Sequence, residues 1–366
     1  MNPNALAEAG ALDAERKRGK VRGPLHGIPV AVKDNIQTVN MPTTGGALAF
    51  AGYRPPYDAT LVKNLRDAGA IIIAKTGMTE LANWIGGAPT PMPTNYNAVG
   101  GFGFNPYDPR RDPRADADGR PVLATGGSSS GVGTAASFWL ANVGTETSGS
   151  ILSPATQNML AAVKPTVGRI SRYGIIPITA DQDTAGPMAR TVTDAAILLG
   201  ALEAAQPDPN DPATSRCKPE GDYRRFLQPG ALQGARIGVP RNGYASRGDD
   251  KKVIEEAIAI LKAQGAVIVD PAEIPSQAEL NKWSTCGGAN QAKGKDADCS
   301  IVFKYGMKRD FNAWLKSQGP GAPVKTLTEL REWNKAHEKA GAIKYGQSRL
   351  DVSDEMDLEA DRARYE

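Results

Sequence analysis

Along the chain, helical hydrophobic patterns repeatedly hand over to short apolar runs. Residues 1–20 set Leu6, Ala7, Leu12 and Ala14 among Glu, Arg and Lys, which predicts a helix. Gly and Pro punctuate residues 23–27, and the largely β-branched run from Ile28 to Val32 predicts a buried strand that delivers Lys33 at its end. Residues 58–69 predict an amphipathic helix stopped by Gly69, and residues 70–75 an apolar strand. The same pairing recurs later. A strand is predicted at 235–240 and a helix from Asp250 to Gln264 carrying Val253, Ile254, Ala257, Ile260 and Leu261. Another strand follows at 265–269. Helix followed by buried strand implies a largely parallel sheet covered by helices, an α/β fold. The small-residue segment Val132 to Asn142 predicts a further helix, Thr326 a capped helix start, and residues 353–366 a charged helix. Residues 86–124 and 205–230 are rich in Gly, Pro and polar side chains and predict loops.

Two Gly/Ser clusters interrupt this pattern. The first is Thr125-Gly126-Gly127-Ser128-Ser129-Ser130-Gly131, and the second runs from Gly144 through Thr145-Glu146-Thr147-Ser148-Gly149-Ser150. Taken alone, the first reads as a turn or flexible linker, and no Lys-Ser/Thr follows at the spacing of a phosphate-binding loop. The second alone reads as a strand-to-helix turn, with Pro154 suited to a first helical turn. Backbone N–H groups at such a turn can stabilise an oxyanion. Ser128 and Ser150 lie 22 positions apart (150 − 128), enough for the chain to leave, turn and come back along a short strand. Each candidate has a plainer reading: Lys33 as an exposed strand-end lysine, Ser128 as a helix N-cap, Ser150 as a turn serine. The chain has only two histidines, His26 and His337, so a Ser-His-Asp triad would have to use one of them, and a His-rich zinc site is disfavoured.

The two clusters, with Gly27-Ile28-Pro29-Val30-Ala31-Val32-Lys33-Asp34 ahead of them and Gln182-Asp183-Thr184-Ala185-Gly186-Pro187 behind, resemble the amidase signature family of serine hydrolases. The resemblance runs from about residue 2 to about residue 202 and is closest to bacterial peptide-amidase-type enzymes. It implies an α/β/α layered fold with a mixed, largely parallel sheet and a Ser–cis-Ser–Lys triad without metal or organic cofactor. Lys33 would be the general base. Ser128 would be the bridging serine, after a cis peptide at Gly127, and Ser150 the nucleophile. The N–H groups of Thr147, Ser148, Gly149 and Ser150 would form the oxyanion hole. A lysine acts as a base only when neutral, and burial lowers its pKa. The implied function is hydrolysis of a carboxamide C–N bond through a seryl acyl-enzyme. The alternatives are the glutaminase subunit of a tRNA-dependent amidotransferase, or a non-catalytic ligand-binding protein on the same fold. Leu152 stands where arginine is common in the family, which leads one to expect a neutral wall there and weakens the glutaminase reading.

Length and charge narrow the partners. The 366 residues read as one domain, with a catalytic core at 2–202 and a substrate-side part at 231–366, and the pattern of the ends suggests truncation at both. A net charge of +3 without a basic patch predicts no nucleic-acid partner. No stretch approaches the roughly 18–20 apolar residues of a membrane helix. No signal peptide is visible, which favours the cytoplasm. The expected partner is a small-molecule or peptide amide, and a homodimer stays open. Cys217, Cys286 and Cys299 form no CxxC; Cys286 and Cys299 could pair, but free thiols are expected.

Overall fold

Strand β1 (Pro29–Lys33) is the hinge of the architecture, because it pairs on both sides. It runs parallel to β2 (Ile71–Thr76), with Val32 opposite Lys75, and parallel to β5 (Ala141–Glu146), with Val32 opposite Val143. β5 pairs antiparallel with β7 (Thr184–Ala189), which pairs antiparallel with the short β6 (Ala161–Ala162). The order β2-β1-β5-β7-β6 makes a mixed α/β sheet. A separate small hairpin joins β3 (Tyr96–Asn97) to β4 (Gly101–Phe102). The computed structural model describes residues 1–86, 92–114, 117–127, 131–241, 250–282, 286 and 299–366.

Every residue of β5 and β7 is buried, as are Val30 to Lys33. Strands covered on both faces show runs of apolar and small residues rather than alternation, as the sequence has here. The helices Ala5–Lys17 and Thr60–Asp67 lie against β2, and Val192–Leu202 lies against β7. Val30, Val32, Leu61, Leu65, Val143 and Leu198 meet in the core beneath them. A second core gathers Phe50, Trp84, Phe303, Phe311, Leu330 and Leu350 around the helices Ile301–Ser317, Leu327–Ala336 and Ser348–Asp354. Thr326 caps the middle one, its hydroxyl accepting the Glu329 N–H at 3.1 Å. Among the described residues no helix is long and apolar enough to cross a membrane.

The chain divides into two compact units, one of residues 1–223 with 285–366 and one of residues 224–284. The smaller holds β8 (Arg236–Gly238) parallel to β9 (Val267–Val269), connected through the helix Asp250–Ala263. This is the later strand–helix–strand run read from the sequence.

Three expectations are corrected. The helix expected over Val132–Asn142 covers only Val132–Ala135, and the chain enters β5 at Ala141. Pairing with β1 and β7 outweighs the helical leaning of the small residues, and Thr134 and Asn142 are tied by a 2.7 Å hydrogen bond across the intervening turn. The continuous helix expected at 353–366 stops at Asp354. The Asp357 carboxylate takes the N–H groups of Glu359 and Ala360, both at 2.9 Å, a local bond that competes with the helical ladder. Cys286 and Cys299 form a disulfide, while Cys217 stays a thiol. Both paired cysteines are buried in the second core, an approach that spacing alone cannot reveal.

Candidate active site

Lys33 ends β1 facing inward and is completely buried. Its Nζ donates to the Thr145 hydroxyl at 2.8 Å and to the Thr145 carbonyl at 3.2 Å. Asn35 Nδ2 donates to the same hydroxyl at 3.1 Å and to the Ile176 carbonyl at 3.2 Å, which fixes Thr145 between two donors. Burial lowers the Lys33 pKa to about 7, against a smaller opposing pull from the charges of Asp183 and Glu146.

Beyond Thr145, β5 opens into the turn that carries Thr147 to Ser150. Glu146 braces it. One carboxylate oxygen accepts the N–H groups of Ile151 at 2.7 Å and Leu152 at 3.0 Å, where the helix Leu152–Gln157 begins. Among the described residues no acceptor takes the N–H groups of Thr147, Ser148, Gly149 or Ser150. Gly149 has φ +87°, a conformation a side chain resists, and its open side would accommodate a Cβ. Thr147 donates its hydroxyl to the Asp183 carboxylate. The other Asp183 oxygen accepts the N–H groups of Ile178 at 2.8 Å and Thr179 at 3.0 Å. Burial raises the Asp183 pKa to about 7.

The first Gly/Ser cluster docks on this turn. A Cβ at Gly127 would come within 3.2 Å of the Ser150 Cα, and one at Gly126 within 2.6 Å of the Pro154 Cα. The approach at Gly126 leaves no room for a side chain. Asn158 holds the Thr125 carbonyl at 2.8 Å from the far side. Ser128 and the expected cis peptide before it lie outside the described residues.

Ser150 is largely buried but lines a cavity of about 220 Å³ with Thr147, Ser148 and Gly149. A second cavity of about 300 Å³ reaches Thr145, Asn35 and Asp183, and shares Ala82, Thr147 and Ile178 as walls with the first. Lys33 and the serine turn are thus joined through Thr145 on one strand. Leu152 points to solvent, and the Ser150 cavity is not neutral: Arg349 lines it. Sequence reading gave no role to Thr145, Asn35 or Arg349. Thr145 had a signal, since it sits inside the second cluster. Arg349 had none, coming from a helix about 200 positions away. His26 is structural: its ring meets the Leu12 carbonyl at 2.9 Å and the Arg22 N–H at 3.2 Å.

This fold, with a buried lysine on the strand beside the one that runs into the Gly/Ser turn, agrees with the comparisons. The chain belongs to the amidase family, whose profile matches residues 1–350. A relative from Arthroderma benhamiae whose name places it among the amidases is 42% identical over 76% of this chain and 46% of its own length. A "Probable amidase" of Arabidopsis thaliana is 33% identical over 94% of this chain and 62% of its own. A glutamyl-tRNA(Gln) amidotransferase subunit from Chloroflexus aurantiacus is 40% identical over 73% of this chain and 50% of its own. The structure of a peptide amidase from Stenotrophomonas maltophilia superimposes with a TM-score of 0.84 and 38% identity, over 100% of this chain and 68% of that one. The chain therefore spans about half to two thirds of the length of the relatives it matches.

Proposed function

We propose that this chain carries the catalytic machinery of a serine amidase that hydrolyses a carboxamide C–N bond. In this reading Ser150 Oγ attacks the carbonyl carbon. Its proton passes to Ser128, which gives its own to neutral Lys33. The oxyanion sits against the N–H groups of the 147–150 turn. When the C–N bond breaks, the proton returns through the same relay to the departing amine. Water then attacks the acyl carbon and gives a proton to the relay, and as the ester C–O bond to Ser150 breaks the relay returns that proton to Ser150 Oγ, releasing the acid. The observation that carries this is the complete burial of Lys33, with the neutral Thr145 hydroxyl and carbonyl as its partners among the described residues and a pKa of about 7, beside a serine turn whose N–H groups the described residues leave open.

The similarity to a solved peptide amidase makes C-terminal peptide amides the first substrates to try. The amidotransferase relative supports a second reading, in which glutamine is the amide and the ammonia goes to a partner protein. Rapid deamidation of free glutamine by this chain, with peptide amides untouched, would favour it. A fluorophosphonate probe followed by peptide mass mapping tests the core of the proposal. The expected result is an adduct on Ser150 that disappears in Lys33→Ala. A cooperatively folded chain that takes up no label is a binding protein on this fold, and the proposal fails.

A further inference from the structure

The two Gly/Ser clusters approach each other at Gly127, and its peptide groups are held by two side chains that the proton relay does not use. Its N–H donates to the Ser153 hydroxyl at 3.3 Å, and its carbonyl accepts the Thr79 hydroxyl at 3.3 Å. Thr79, Gly127, Ser150 and Ser153 all line the same cavity. Thr79 is completely buried, so its hydroxyl must find its partners within the protein. A threonine hydroxyl has one proton and two lone pairs. One lone pair accepts the Asn95 N–H at 2.7 Å, which leaves the proton for the Gly127 carbonyl.

Thr79 is presented from a rigid frame. The Met78 carbonyl accepts Asn97 Nδ2 at 2.8 Å, and a Glu80 carboxyl oxygen accepts the Ala98 N–H at 2.9 Å. Three consecutive residues are thus bonded to the 95–98 segment that carries β3. Asn95 has φ 63°, and Leu81, Ala82 and Asn83, just beyond Glu80, have φ of 45°, 57° and 70°. Non-glycine residues in this region are uncommon and persist only where surrounding contacts over-determine them. The backbone on both sides of the Thr79–Asn95 bond is therefore fixed. Ser153 belongs to the other partner. It lies in the first turn of the helix Leu152–Gln157, with its N–H on the Gly149 carbonyl at 2.8 Å, so it moves with the Ser150 turn.

We propose that Thr79 and Ser153 are positioning residues: they clamp both peptide groups of Gly127 and so fix the first cluster against the Ser150 turn. The contact leaves little slack, since a Cβ at Gly127 would lie 3.2 Å from the Ser150 Cα and 3.3 Å from the Gly149 carbonyl oxygen. Gly127 directly precedes Ser128 in the chain, so rotation of its carbonyl end would carry that residue away from Ser150. A displacement of about 1 Å between reacting groups costs on the order of 10²-fold in rate. Glycine has no side chain to pack, so these two hydrogen bonds take over the orienting that a side chain would do. The clamp rests on the serine-amidase reading for its effect on rate, but not for its effect on the backbone.

The test uses Thr79→Val, which keeps the shape but removes the hydroxyl, Thr79→Ser, which keeps the hydroxyl, and Ser153→Ala, which removes the other half of the clamp. Each is treated with a fluorophosphonate probe, separating kinact from KI, and melting curves establish which variants are folded. Hydrogen–deuterium exchange follows the Gly127 N–H, which Thr79 does not itself bind. Thr79→Val should lower kinact by about 10- to 100-fold and leave KI within about twofold, while Thr79→Ser stays within about threefold of the parent. Ser153→Ala should lower kinact by about 3- to 10-fold, the weight of one neutral hydrogen bond. Exchange at Gly127 should quicken in Thr79→Val and not in Thr79→Ser. A folded Thr79→Val that labels at the parent rate, or a Thr79→Ser that loses as much, overturns the clamp. If Thr79→Val does not fold, Ser153→Ala decides: a lower kinact supports the clamp and an unchanged one overturns it. If the folded parent takes up no label, the amidase reading fails and exchange alone decides. Quickened Gly127 exchange confined to Thr79→Val then supports the clamp, and unaltered exchange overturns it.

Discussion

Two lysines sit on neighbouring strands of the same sheet, and their surroundings set them apart. Lys33 and Lys75 are one step out of register across β1 and β2, since Val32 faces Lys75 and Lys33 faces Thr76. Both are held below the ordinary lysine pKa by burial, Lys33 at about 7 and Lys75 at about 8. Lys75 has the Asp34 carboxylate at 3.4 Å, the Thr43 hydroxyl at 2.8 Å and the Pro42 carbonyl at 3.1 Å. That set solvates a cation. Among the described residues Lys33 has the hydroxyl and carbonyl of Thr145, and the carboxylates of Asp183 and Glu146 act on it through their charge. The same residue type on adjacent strands thus serves as an ion-pair partner in one place and as a candidate base in the other. Neighbour chemistry decides which, because the cost of a buried cation is offset only where an anion is in contact.

The sharpest way to break this contrast is to remove each amine in turn. Lys33→Ala is expected to lower the rate of amide hydrolysis by about 10²- to 10⁴-fold, the usual effect of losing a general base. Lys75→Met should instead lower stability by about 3–5 kcal/mol, because it leaves Asp34 as an unpaired, largely buried charge. Its turnover per folded molecule should stay near that of the parent. Denaturant titration beside initial rates separates the two outcomes. If Lys75→Met abolishes turnover in folded protein, the division of labour between the lysines is wrong.

Stability against pH sharpens the same point. Both lysines have folded pKa values below the unfolded value of 10.5. Between about 7 and 10.5 the unfolded chain binds more protons than the native one, so stability from these groups rises with pH across that window. Below about 7 the penalty is fully present for Lys33. Lys33→Met should flatten this rise, as read from denaturation midpoints at several pH values.

How far this contrast could be read beforehand depends on the range of each interaction. The run Ile28 to Val32 announced a buried strand, and Lys33 at its end inherited the burial. The Gly144–Ser150 cluster announced a strand-to-helix turn, and the helix does begin at Leu152. These are local patterns, carried by β-branched residues and by glycines that the backbone requires. Val132–Asn142 misled because strand pairing from 111 positions upstream (141 − 30) overrode its local preference. Thr147 with Asp183, Cys286 with Cys299, and Arg349 with Asn83 are joined only by folding, and no periodicity marks such pairs. Asp34 beside Lys33 in the sequence would suggest the wrong partner: in the fold it serves Lys75.

The subtlest test concerns the charge that acts on Lys33 from a distance. Asp183 is buried, titrates at about 7, and its negative form raises the Lys33 pKa. It also receives the Thr147 hydroxyl, so it couples the serine turn to the lysine's field. Asp183→Asn keeps an oxygen for the Ile178 and Thr179 N–H groups but removes the charge. Without that anion the Lys33 cation loses a stabilising neighbour and gives up its proton more readily. The acidic limb of kcat/KM against pH, expected near 7 in the parent, should therefore move to lower pH. Because Asp183 is itself only partly ionised at this pH, the displacement should stay within about one unit. A limb that does not move, in a variant that remains folded and active, would mean that the ionisation limiting turnover belongs to some group other than Lys33.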